Sequence, residues 1–353
     1  AAGAMMAMSN LRMRMDPVGF CTQTRLLIVA GKGGVGKTTV SAAVARMAAD
    51  AGLSTLLVDV EGKSGLPAAF GHEDLLGYEE MDMAPDGPGA GRIRARTLTP
   101  DDALLEYLED HGMGRVSRKL LSSGAIDVVA TAVPGIKDIL VLGKVKQLER
   151  AGAADLIVVD APAAGHAVTF LTSASGLLDS ARVGPIRAQA QDVVDLLSDP
   201  ARCQVLLVTL PEETPVNEVV ETAYKLEDRV GVSLAAVVVN ALYPPRPGLD
   251  ADPAEVAERQ GVQLPPGELE QLRAAARFRQ GRAALQTEQV ARLARSLPLP
   301  QLHLPFLFTT EVGWPEVGVL ARALANGVRA LPEEPIASFS GSSGEGATVG
   351  PWA

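Results

Sequence analysis

The sequence predicts an α/β fold in which a mostly parallel sheet carries helices on both faces. Short apolar runs of strand type recur along the chain and alternate with stretches of helical composition. Strands that are buried on both faces have continuous apolar sequences, and alternating strands and helices form a sheet of this kind. The predicted strands are residues 25–30, 54–60, 155–160, 203–209, 234–240 and 301–306.

A glycine-rich segment follows the first predicted strand and matches the spacing G-x-x-x-x-G-K-[ST] from Gly31 to Thr38. A helical run, residues 40–47, comes directly after it. This order of strand, loop and helix is that of a phosphate-binding loop, in which backbone amides surround the β-phosphate at the positive end of a helix. The predicted loop consists of Gly31, Lys32, Gly33, Gly34, Val35, Gly36, Lys37, Thr38 and Thr39. The fold class is therefore that of a P-loop NTPase.

Three residues of such a site have defined chemical tasks. We expect Lys37 to bridge the β- and γ-phosphates and the hydroxyl of Thr38 to be a ligand of Mg²⁺. Asp160 ends the apolar strand at residues 155–160, which is the Walker B arrangement, and would hold Mg²⁺ through water. The expected ligands are therefore a nucleoside triphosphate and Mg²⁺.

Polar residues end two further predicted strands at the edge where ligands of open α/β sheets bind. Asp59 and Glu61 follow the second strand, and either carboxylate could orient the attacking water or accept its proton. The alternative is a strand-end acid that faces solvent. Asn240 ends another strand, where its amide could bond the edge of a purine base or simply form a turn.

Composition excludes several functions. A net charge of −10 argues against a nucleic-acid surface, which needs basic patches. Cys21 and Cys203 stand alone, so a disulfide framework and a cysteine metal site are both unexpected, and a reducing cytoplasmic location is the default. No uninterrupted apolar run reaches the ~18 residues of a membrane span.

The chain is expected to form one P-loop domain over residues 25–335. Residues 1–24 are predicted to be a disordered leader and residues 336–353 a disordered Gly/Ser-rich tail. A helical insertion is expected at about residues 71–150, with an edge strand at 92–98. An insertion of this size covers the site or binds a partner, unless its helices serve only as scaffold.

The form K-G-G-V-G-K-T-T, residues 32–39, resembles the deviant Walker A loop of the MinD, ParA, nitrogenase-iron-protein and ArsA class of ATPases. The resemblance implies that Lys32 reaches across a dimer interface to phosphates held by the partner subunit. A solvated loop lysine is the alternative.

From about residue 25 to residue 331 the chain resembles the ArsA family. The segment at residues 59–64 resembles the family's first switch. This resemblance implies that Glu61 occupies the position of the family's catalytic Asp and lies beside the metal. Residues 160–167 resemble the second switch, keeping its Asp and Gly-His but not its threonines. The resemblance also implies nucleotide-base contacts from Asn240 and from a late loop that begins at Pro305 and Phe306.

The resemblance implies a dimeric switch ATPase that binds and hydrolyses Mg·ATP, with Lys32, Lys37, Glu61 and Asp160 as its catalytic residues. Its partner would be a second copy or a paralogous ATPase, and a protein client would bind the helical subdomain. Contact with a membrane would be only indirect. The alternative is a regulatory or pseudo-ATPase subunit that pairs with an active paralogue. Arsenite transport is not expected, because the chain has no cysteine cluster.

Overall fold

The residues that the structure describes form one sheet of eight strands. The computed structural model describes residues 15–60, 65–84, 92–110, 112, 135–162, 164–180 and 185–331. The strands are β1 (Leu26–Gly31), β2 (Thr55–Asp59), β3 (Met81–Asp82), β4 (Ile93–Thr97), β5 (Leu156–Asp160), β6 (Cys203–Thr209), β7 (Ser233–Leu242) and β8 (Gln301–Pro305). Their order is β3-β4-β2-β5-β1-β6-β7-β8, and only the β3–β4 pairing is antiparallel. The predicted α/β fold with a mostly parallel sheet is confirmed.

Helices cover both faces of this sheet. In the described residues they are α1 (Pro17–Thr22), α2 (Lys37–Asp50), α3 (Leu66–Ala69), α4 (Pro100–Asp110), α5 (Ile136–Arg150), α6 (Ala164–Ser180), α7 (Pro185–Ser198), α8 (Glu213–Val230), α9 (Pro253–Gln260), α10 (Glu268–Ser296) and α11 (Trp314–Ala330). No helix among them is both long enough and apolar enough to cross a membrane.

The central strand β1 shows how the two faces are filled. Leu26, Ile28 and Ala30 belong to a core that they share with α5, α6, α7 and α8. Leu27 and Val29 belong to a second core on the other face, with α2 and α11. Successive side chains of a strand point to opposite faces, so a strand that is apolar at every position must be covered on both sides.

The prediction of a disordered leader is wrong for residues 15–24. Helix α1 starts after Asp16, whose carboxylate accepts a hydrogen bond of 2.6 Å from the amide of Gly19. Phe20 and Cys21 are buried in the core under α2. A short helix with a cap and an apolar face is therefore held by packing that the composition of the segment did not indicate.

The predicted helical insertion at about residues 71–150 also needs correction. Strand β4 lies inside this range, yet it pairs with β2 and belongs to the main sheet. It is not the edge strand that we expected, because Met81–Asp82 pairs with its other side. The helices of this range that the structure describes are α4 and α5, so its helical part begins at Pro100. Residues 113–134 and the tail at 336–353 lie outside the described residues.

Candidate nucleotide site

The phosphate-binding loop joins β1 to α2 at the carboxyl edge of the sheet. A Cβ atom at Gly31 would collide with the carbonyl oxygen of Val208 on the neighbouring strand β6. Gly36 caps α2 with φ +90°, and a Cβ atom there would collide with the side-chain amide of Asn240. Both positions therefore require glycine, one for lack of space and the other for lack of space and for its backbone conformation.

A hydrogen bond links this loop to the end of β5. The hydroxyl of Thr38 donates to one carboxylate oxygen of Asp160 over 2.6 Å, and Ser41 donates to the other over 3.2 Å. The pKa of Asp160 is raised to about 6, chiefly by burial and also by the nearby Asp59 carboxylate, although the Thr38 and Ser41 hydroxyls and the Lys37 ammonium lower it. The predicted Walker A and Walker B residues are thus in direct contact.

Asp59 lies at the carboxyl edge of the sheet, as the sequence predicted, but our sequence reasoning did not identify its pairing with Asp160. It pairs in register with Asp160 across β2 and β5, and both residues are buried. The signal was present in the sequence, since both apolar strands end in Asp and parallel strands end at the same edge. Glu61, the other acid that we expected at this edge, lies outside the described residues.

The chemistry of these groups suits Mg²⁺. Hydroxyl and carboxylate oxygens are its preferred ligands, and it is usually held by one or two carboxylates together with phosphates and water. Thr38 and Asp160 supply such oxygens beside the phosphate-binding loop. Asp59 adds a second carboxylate at the same edge.

The two lysines of the loop have different partners. The ammonium group of Lys37 donates to the main-chain carbonyl of Lys32 over 3.4 Å. The side chain of Lys32 turns instead to helix α8, where its ammonium forms an ion pair with Glu218. The next two residues, Gly33 and Gly34, are exposed. The tip of the loop is therefore open to solvent, and both lysines are engaged within the chain.

Asn240 contacts the loop directly. Its side-chain nitrogen donates to the carbonyl of Val35 over 2.9 Å, and its oxygen accepts from the amide of Ala241 over 2.9 Å. Ala241 has φ +62°, the only positive φ outside glycine in the described part of the chain. The buried Gln286 of α10 holds this kink by donating to the carbonyl of Ala241 and accepting from the amide of Tyr243. Sequence reasoning did not identify Gln286, because the relevant contacts are with backbone atoms 43 and 45 residues away.

Pro305 and Phe306 lie on the far side of β7 from β6. Pro305 pairs with Leu242, and the amide of Phe306 donates to the Leu242 carbonyl over 2.7 Å. The ring of Phe306 lies 5.4 Å from that of Tyr243 and 4.8 Å from that of Phe308. These three rings form an aromatic cluster at the end of β7 and β8.

A cation and a cleft lie beside this aromatic cluster. The guanidinium of Arg279 is 5.1 Å from the Tyr243 ring and 5.0 Å from the Phe308 ring. Phe308 is 60% exposed. A cleft of about 450 Å³ opens between α10 and the segment after Leu242. Our sequence reasoning placed a late loop at residues 305–312, which includes Phe306 and Phe308, but it did not identify Tyr243 and Arg279 as their neighbours.

The predicted residues therefore fall into three groups. The loop residues 31–39, Asp160 and Asn240 are joined by direct contacts. Pro305 and Phe306 lie on the neighbouring strand end and contact β7 rather than the loop. Glu61 belongs to residues that the structure does not describe.

Comparison with known proteins agrees with this geometry. Residues 24–181 match the family described as anion-transporting ATPases, ArsA_ATPase. The ATPase BagA of Mycobacterium tuberculosis is 36% identical over 227 residues, which are 62% of this chain and 66% of that protein. The ATPase get3 of Schizosaccharomyces japonicus is 29% identical over 150 residues, 42% of this chain and 44% of that protein.

The arsenical pump-driving ATPase of Escherichia coli is 28% identical over 222 residues, which are 61% of this chain. The chain spans just under two thirds of the length of the mycobacterial relative, 66%, and about a third of the Escherichia coli protein, 34%. All three relatives are named as ATPases. Residues 24–181, which match the family, contain both the phosphate-binding loop and Asp160. Residues 24–181 are therefore similar to the ArsA-like ATPase family, as the sequence resemblance predicted.

Proposed function

We propose that this protein binds Mg·ATP and hydrolyses it as a dimer, and that hydrolysis switches the conformation of the dimer. The observation that carries the proposal is the 2.6 Å hydrogen bond between Thr38 and Asp160. It brings a loop hydroxyl and a strand-end carboxylate together at the N-terminus of α2, where the γ-phosphate and its metal ion would lie.

Each residue near the loop has a task in this proposal. The backbone amides of the loop bind the phosphates, and Lys37 leaves the Lys32 carbonyl to bridge the β- and γ-phosphates. Thr38 and Asp160 would hold Mg²⁺, which, when bound, neutralises charge on the phosphates. Glu61 orients the attacking water, and Lys32 binds the phosphates of the partner subunit.

The nucleotide base would occupy the other end of the site. Asn240 lies between the loop and the aromatic cluster of Tyr243, Phe306 and Phe308. Aromatic faces and a guanidinium stack well on purine rings. We therefore assign the base to this end of the sheet, with Pro305 shaping the turn into the cluster.

The partners follow from this mechanism. A second copy of the chain, or a paralogous ATPase, would supply the opposing phosphate site. A protein client would bind the helices of the insertion, which include α4 and α5, and any membrane contact would be made through that client. We expect the protein to act in the cytoplasm.

The first prediction concerns Lys37. We expect Lys37→Ala to weaken ATP binding about 100-fold, because two hydrogen bonds from a cation to phosphate are lost. Titration with a fluorescent ATP analogue would measure the dissociation constant, and phosphate release would measure turnover. Lys225→Ala is the matched control, since Lys225 is a solvent-exposed lysine on α8 that pairs only with Glu221 among the contacts described. Normal ATP affinity in Lys37→Ala would contradict the proposed site.

A second candidate function is a nucleotide-binding subunit that does not hydrolyse ATP by itself. Two differences from the resembled family favour this second function. Glu61 occupies the position of the family's Asp, and the segment after Asp160 has alanine where the family has threonine. Phosphate release from the purified chain, alone and with candidate paralogues, separates the two functions. Turnover that requires a paralogue would favour the regulatory subunit.

A further inference from the structure

The ion pair between Lys32 and Glu218 has a consequence for subunit pairing. Lys32 lies at the tip of the phosphate-binding loop, and the proposed function requires its ammonium to reach the partner subunit. In the structure, the same ammonium is bound within its own chain by the carboxylate of Glu218. One ammonium cannot hold both positions, so the two contacts exclude each other.

Glu218 is fixed more firmly than the lysine that it binds. It lies on α8, whose neighbouring residues Val216 and Val219 are buried in the core. Its second carboxylate oxygen is buried and has no hydrogen-bond partner among the described residues. The side chain of Lys32 is 45% exposed and lies on a loop, whereas that of Glu218 is 33% exposed and lies on a helix. The lysine is therefore the member of the pair with more freedom to move.

We propose that Glu218 is a positioning residue that holds Lys32 within its own subunit and thereby opposes ATP-dependent pairing of two subunits. This inference rests on the proposed function. The ammonium of Lys37 donates to the carbonyl of Lys32, so the loop holds Lys32 at its main chain as well as at its side chain. When a bound triphosphate attracts the Lys37 ammonium, the hydrogen bond from Lys37 to the Lys32 carbonyl is lost. The ion pair with Glu218 is then the contact that the phosphates of the partner subunit must displace.

The size of the effect follows from the exposure of the pair. An ion pair that is partly open to solvent favours the bound form of its two side chains by roughly two- to fivefold. A symmetric dimer contains two such pairs, so their removal should strengthen pairing by about 4- to 25-fold. A contact of this strength sets the concentration at which subunits pair, yet the phosphates of a partner can still displace it.

The experiment compares self-association with nucleotide binding. Sedimentation of the full chain with Mg²⁺ and a non-hydrolysable ATP analogue gives the dimer dissociation constant. We expect Glu218→Gln and Glu218→Ala to lower the dimer dissociation constant by about 4- to 25-fold. Glu218→Asp keeps the charge, so its dimer dissociation constant should be close to that of the parent protein. The affinity of the single subunit for nucleotide should change less than twofold, which a purely structural role of Glu218 would not predict.

Two controls separate the possible failures. Glu221→Gln removes the same charge from an exposed position of the same helix and should leave the dimer constant unchanged. Lys32→Ala tests the proposed function itself, because it should abolish pairing. If Lys32→Ala pairs normally, the proposed role of Lys32 across the interface fails. If Lys32→Ala does not pair and the two neutral Glu218 variants pair no better than the parent, the inference about Glu218 is wrong.

Discussion

Asn240 illustrates how single side chains prepare the site. Its amide nitrogen binds the Val35 carbonyl in the loop, and its oxygen binds the amide of Ala241. The second bond stabilises a left-handed backbone conformation that costs a non-glycine residue roughly 1–2 kcal/mol. One side chain therefore keeps the loop in place and supports the kink that directs β7 toward the aromatic cluster.

We expect Asn240→Ala to weaken ATP binding about tenfold, because the loop loses one hydrogen bond and the kink another. The dissociation constant of a fluorescent ATP analogue would measure this loss. Asn326→Ala, at an exposed position of α11, is the matched control and should bind ATP as the parent does. Unchanged affinity in the Asn240 variant would show that the loop does not depend on this amide.

At the scale of elements, helix α10 supports the site from outside the sheet. Most of its 29 residues are exposed, and only Gln286 and Leu293 are buried. Gln286 bonds two backbone groups on either side of Leu242, at 3.1 Å and 2.8 Å. A long polar helix thus contributes one buried amide that satisfies backbone groups at an irregular strand end.

Gln286→Ala should therefore reduce the free energy of unfolding by about 1–3 kcal/mol, since a carbonyl and an amide that are partly buried lose their partners. Urea unfolding followed by circular dichroism would measure the change. Gln280→Ala is a control on the same helix: its side chain makes one exposed hydrogen bond, to Leu249, so its effect should stay within about 0.5 kcal/mol. Equal effects of the two substitutions would contradict the role given to Gln286.

At the scale of the molecule, the parallel strands end at one edge, so binding there links distant parts of the chain. The loop after β1 contacts β5 through Asp160, β7 through Asn240 and α8 through Glu218. A ligand that occupies the loop should therefore stabilise the whole folded state rather than one segment. A ligand at 100 times its dissociation constant contributes about 2.7 kcal/mol to folding.

We expect saturating Mg·ATP to raise the melting temperature by about 3–4 °C, because the unfolding entropy of a chain of 353 residues is about 0.7 kcal/mol/K. Chelation of Mg²⁺ should remove much of the increase, because Thr38 and Asp160 then lack the ion that joins them to the phosphates. Differential scanning calorimetry would record both changes, with Lys37→Ala as the variant that should show none. An equal shift in Lys37→Ala would place the nucleotide elsewhere.

Sequence patterns were enough to predict the α/β fold, the phosphate-binding loop and the Walker B carboxylate. These features depend on local order: glycine spacing, apolar strands and the rule that parallel strands end at one edge. The strand end and the family resemblance also pointed to Asn240 as a site residue. In the structure its side-chain nitrogen donates a hydrogen bond to the carbonyl of Val35 in the loop. The helix at residues 17–22 was missed because a short, capped segment gains its stability from tertiary packing.

The partners of these residues could be identified only in the folded chain. Glu218 meets Lys32 across 186 residues, and Gln286 meets the end of β7 across 43 and 45. The pairing of Asp59 with Asp160 depends on the order of strands in the sheet. Charge and hydrogen bonding act through space, whereas a sequence pattern reports neighbours along the chain, and folding alone brings these groups within a few ångströms of one another.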